Sequence, residues 1–166
     1  MAATGKIALF AAVAIIAASP AFAGWQFTTW GMTPAQVMTA SQGAAALVDP
    51  TDRSSLNGDR VLLEMLYVTG DFDFAASFAF DSAGHLDRVH LVLRSGSAID
   101  LRAALIAKYG KPKDQDPDVE AFGGRAIWIA PDEQIVLSQM GSNAPGVTPN
   151  VSMDYIRLGT ASGSGL

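Results

Sequence analysis

Cysteine is absent from all 166 residues of the chain. That removes thiol nucleophiles, thiolate metal ligands and disulfides together, so burial alone has to hold the fold. Histidine occurs only as His85 and His90. Five residues apart on one strand, they point to opposite faces and can neither share a metal nor act as a pair. Charged residues make up 16% of the chain and form no basic run. No G-x-S-x-G elbow occurs, and Gly123-Gly124 lacks the following Lys and helix of a phosphate-cradling loop. The expectation is a chain with no catalytic residue, no metal site and no cofactor.

Long apolar runs are confined to the start. Lys6 gives a short positive beginning, residues 7–18 are apolar but too few to span a bilayer, and Ala21 and Ala23 form an A-x-A cleavage pattern. A signal peptide over residues 1–23 is therefore expected, with an N-terminal anchor as the alternative. With no Cys to acylate, lipoprotein processing is excluded. Residues 24–159 suit a single domain, which at this size buries roughly two-thirds of its unfolded surface. Residues 160–166 read as a flexible Gly/Ser-rich tail. Cleavage would remove Lys6, one of 11 basic residues, and leave all 16 acidic ones. Such a balance argues against nucleic acid as a partner and against anionic lipid surfaces. The expected destination is a bacterial periplasm or the exterior, with no stable membrane insertion after cleavage. The sequon at Asn150 is then expected to go unused.

What is present is β-rich. Residues 72–80 place Phe72, Phe74, Phe78 and Phe80 on one face, opposite Asp73, Ala75, Ser77 and Ala79. Asp81 to Gly84 is turn chemistry, and residues 86–94 return with Val89, Leu91 and Leu93 on one face. With a strand over 60–68, three strands make an antiparallel meander. Before it, residues 25–30 read as a short β-prone stretch. Thr33 caps a helix with Pro34 first and Gln36 closing the capping box, Met32 and Val37 supply a staple, and the helix should run to Gln42 and stop at Gly43. Ser97 caps a second helix with Leu101, Leu105 and Tyr109 on its stripe, ended by Gly110 and Pro112. Strands then follow at 119–122, 125–130, 134–139 and 151–158, with Gly123-Gly124 as the turn of a hairpin. Helix then meander thus occurs twice, at a spacing of about 65 residues. The expected class is α+β: one antiparallel sheet from two helix-plus-meander units, helices packed on one face.

Trp30-Gly-Met-Thr-Pro-Ala-Gln-Val37, Lys108-Tyr-Gly-Lys-Pro112, Trp128, Ile135-Val-Leu137 and Tyr155 form a signature similar to small exported bacterial proteins of unassigned function. The tandem pattern also resembles β-lactamase inhibitory proteins and small outer-membrane assembly lipoproteins. It lacks the disulfide cysteines of the first and the lipidated cysteine of the second. The resemblance implies a protein-binding or envelope-associated role and carries over no functional residue.

Three functions remain to be weighed. The leading one is non-enzymatic binding of another envelope or periplasmic protein, through the open sheet face or a sheet edge. Small residues there, with Ser77, Arg88, His90 and Arg94, are the candidate binding residues. A carboxylate-based hydrolase or metal-binding protein would use Asp71, Asp73, Asp81 and Asp87. A small-ligand carrier would need a pocket between helices and sheet lined by Trp25, Trp30 and Trp128.

Overall fold

The Phe-rich run and its return set the architecture. In a computed structural model that describes residues 24–117, 123–141 and 148–159, they form strands β4 (Phe72–Phe80) and β5 (Leu86–Ser95) of one sheet. The expected signal segment and tail, and the expected strand over 119–122, lie outside the described residues. Phe74, Phe78 and Phe80 are buried on one face with Val89 and Leu91. Burying each such side chain contributes about 1.5–3 kcal/mol, which favours this register over the one-residue slip that would expose them.

Before β4 come helix α1 (Pro34–Ala40), the two-residue strands β1 (Ala46–Leu47) and β2 (Ser55–Leu56), and β3 (Asp59–Thr69). After β5 come helix α2 (Ala98–Tyr109), β6 (Asp114–Gln115), β7 (Gly123–Ile129), β8 (Glu133–Met140) and β9 (Asn150–Arg157). The sheet order is β1-β3-β4-β5-β9-β8-β7-β6, with β2 also on β3, and every ladder is antiparallel. The fold is α+β. Val37 of α1 and Ala98, Leu101 and Leu105 of α2 belong to the same buried cluster as the inward side chains of the strands, so both helices cover one face.

Local chemistry explains the element ends. The capping box closes α1: Thr33 Oγ1 accepts from the Gln36 amide, and the Thr33 amide donates to Gln36 Oε1 at 2.8 Å. This helix ends at Ala40 rather than Gln42, because Gln42 and Gly43 both take positive φ. Residues 25–30 are turn rather than strand. Thr28 folds back, its amide and hydroxyl both donating to the Trp25 carbonyl. Gly123-Gly124 opens β7 opposite Met140 and Gln139 instead of forming a turn. Close approach requires glycine there: a Cβ on Gly123 would lie 2.7 Å from the Gln139 carbonyl oxygen of the neighbouring backbone, and one on Gly124 2.8 Å from Oδ2 of the Asp116 side chain. Among the described residues no helix is long and apolar enough to cross a membrane.

Candidate functional site

The face of the sheet turned away from the helices carries three rows of cross-strand neighbours. One runs Glu64, Ser77, His90, Asp154, Val136, and a second runs Leu66, Ala75, Val92, Ser152, Ser138. The third, Val61, Ala79, Arg88, Ile156, lies at the end where β3 and β4 are bulged. The first two rows are partly or fully exposed, but in the third Val61, Ala79 and Arg88 are buried. The expectation of an open surface through Ala79 is therefore corrected. Bulges at Leu62 and Asp87 add one residue to one strand, bend the sheet and close that end.

At the centre Asp154 Oδ1 receives Arg88 Nη1 at 3.2 Å and lies 3.0 Å from His90 Nδ1. Burial, the largest influence on the Asp154 carboxyl, pushes its pKa up. The hydrogen bond and charge of His90, then those of Arg88, outweigh it and hold the group below the usual carboxylate range. An ionised carboxylate only accepts, so Nδ1 of His90 carries the proton in this contact. Arg88 Nε is buried with no hydrogen-bond partner. Its charge meets Asp154 at Nη1 and also acts on Asp59 and Asp87.

Ser77, His90 and Asp154 follow one another across three strands, the residue types of a nucleophilic triad. Their hydrogen bonds do not serve that chemistry. Ser77 Oγ donates to Glu64 Oε1 at 3.3 Å, and the amides around it belong to the β3, β4 and β5 ladders. The acceptor of the hydroxyl is Glu64 rather than His90, so the Ser–His contact of such a triad is not in place among the described residues.

Of the four candidate residues, Ser77, Arg88 and His90 share this face, whereas Arg94 does not join them. Arg94 falls at the bulge near the end of β5 and lines a separate recess with Ser97, Thr148 and Pro149. Asp154 and Glu64 complete the cluster and were missed in the sequence. Their signal was there along each strand: Glu64 precedes Leu66 and Val68 on the outward side of β3, and Asp154 lies between Ser152 and Ile156 on that of β9. The four carboxylates of the hydrolase reading are not brought together. Asp71 and Asp73 sit at one end of β4, and Asp81 and Asp87 at the other, roughly 25 Å away at the rise of a strand. Asp81 instead caps its own turn, Oδ1 accepting from the amides of Ala83 and His85. Among the described residues no group of three or more His, Cys, Asp or Glu is arranged to hold a metal.

Beside this face lies an unfinished edge. β2 pairs with β3 at Asp59 and Arg60, the Ser54 carbonyl accepts from Val61, the Val48 amide donates to Leu62, and β1 pairs at Leu63 and Glu64. Beyond Glu64 no described strand pairs with residues 65–69 on the side away from β4. Leu66 and Val68 stand on this length, 78% and 66% exposed. A shallow recess lined by Glu64, Leu66, Ala75 and Ser77 adjoins it.

No protein-family model, curated protein or solved structure matches the chain.

Proposed function

We propose that this chain is a non-enzymatic binding protein of the bacterial periplasm or exterior, and that it captures an extended segment of another exported protein along β3. The unpaired edge at residues 65–69 carries the reading. An open row of backbone amides and carbonyls is complemented best by another strand, and outward Leu66 and Val68 supply apolar contact on alternate positions. The occupant is then an extended peptide with apolar residues at every second position. A small polar or cationic side chain of it reaches the recess at Glu64 and Ser77, while the Arg88–Asp154–His90 cluster keeps the adjoining sheet rigid.

Selection of displayed random peptides on the purified domain, followed by amide exchange of the complex, tests this. The expected result is peptides of alternating apolar pattern that protect the amides of residues 65–69 and lose affinity at least about tenfold on Leu66→Lys/Val68→Lys. Peptides that protect another surface, or bind the double variant equally well, overturn it. So does a concentration-dependent dimer that the same variant abolishes, which would give the edge to a second copy of this chain.

A further inference from the structure

On the opposite face of the sheet, a cavity of about 310 Å3 opens between α2 and the strands. Its walls are aromatic. Trp25 packs edge-on to Tyr67 with centroids 4.7 Å apart, Tyr67 stacks on Phe74 at 6.3 Å, and Phe72 and Tyr155 close the remaining sides. Lys108 of α2 is the one ionisable side chain with a charge at neutral pH in this lining. Its ammonium rests 4.8 Å from the Tyr109 ring and makes no ion pair with the described carboxylates. Outside the lining, burial raises the Glu133 carboxyl and the Lys108 charge partly offsets it.

We infer that this cavity is a small-molecule site whose ligand is a planar aromatic carboxylate, its ring against the half-buried Tyr67 and Phe72 that line the cavity and its anionic end at Lys108. The volume sits at the lower end of the range for ligand pockets, enough for one or two fused rings. Flat walls favour edge and face contacts with another ring, and a single cation among the lining residues of an apolar site selects an anion. The cavity opens on the face opposite Leu66 and Val68, although Tyr67 and Thr69 of the same strand line it. It therefore stands or falls independently of the binding function proposed above.

Titration calorimetry with 2-naphthoate, against 2-naphthylmethylammonium of the same ring size, tests the inference on the intact domain. Saturable one-to-one binding of the carboxylate is expected, with the cation at least about tenfold weaker, and a similar loss of carboxylate affinity in Lys108→Met. Ala104→Trp, at an exposed helix position that lines the cavity, should abolish binding with the thermal midpoint kept. If that variant is unfolded, Thr69→Trp fills the space from the strand side. Failure of the wild type to bind either probe, or undiminished binding by the filled variant, overturns the site. Equal affinity for the two probes, or for Lys108→Met, overturns the assigned class.

Discussion

Asp154 is the residue on which the outward face depends most. It accepts from two side chains at once, Arg88 and His90, and Arg88 is only 8% exposed. Removing it leaves a buried guanidinium without a counter-charge, and Asp154→Ala should cost roughly 2–4 kcal/mol in urea denaturation. Replacing the whole cluster, Arg88→Met with His90→Leu and Asp154→Leu, should recover most of that loss, because no orphaned charge remains. The acids around it titrate in opposite directions. Asp154 is lowered, so its contribution is present above the unfolded value of 3.8 and is lost as pH falls through the folded one. Asp59 and Asp87 are raised, chiefly by burial; Asp81 adds to both and Asp59 to Asp87, while Arg88 opposes at both and Arg157 at Asp87. Their ionisation weakens the native state, and stability recovers as pH falls through their folded pKa values, above 3.8. Asp87→Asn should therefore stabilise the protein at pH 7 and flatten the upper part of that acid profile.

At the scale of elements, two contacts decide where helices and strands meet. The Trp128 indole on β7 donates to the Gly110 carbonyl at the end of α2, at 2.8 Å. That bond satisfies one of the carbonyls a helix leaves open and ties the helix to the second meander. Trp128→Phe should cost about 1–3 kcal/mol, most of it from the orphaned carbonyl and the smaller ring. At the start of β7, Asp116 Oδ2 accepts from the Arg125 amide at 2.7 Å, in the space a Gly124 side chain would take. Gly124→Ala combines that clash with φ +142°, and about 1–3 kcal/mol of destabilisation in thermal melts is the expected result. The Thr33 box is a smaller device, so Thr33→Ala should cost about 1 kcal/mol.

Across the whole molecule, the two meanders are one sheet because β5 pairs with β9 over five consecutive positions, Arg88↔Ile156 to Val92↔Ser152. The core cluster likewise runs from Trp25 and Phe78 to Trp128 and Ile135 without a break. Unfolding should therefore be a single transition. Variants that keep only Trp25 or only Trp128 as fluorophore should report the same urea midpoint, and separate midpoints would mean two units. The unpaired edge of β3 belongs to this scale too. Leu66→Lys and Val68→Lys should shift stability by no more than about 0.5 kcal/mol, since both side chains lie in solvent already.

The meander, both helix caps and the inward phenylalanines were legible in the chain, because alternation, turn residues and capping boxes act within a few neighbours. The same locality placed Ser77, Arg88 and His90 on one face, yet misread Gly123-Gly124, whose pattern suits a turn as well as a close backbone approach. Tertiary structure decided the rest. The partner of β5 lies 60 to 68 residues away, and any strand with free backbone groups would satisfy it, so side-chain pattern alone does not select β9. The bulges that bury Ala79 and Arg88 and set Arg94 apart lie within the β3–β4–β5 pairing, and the edge beside Leu66 is left open where β1 ends. Each depends on where a backbone runs out of partners, which no short stretch of sequence encodes.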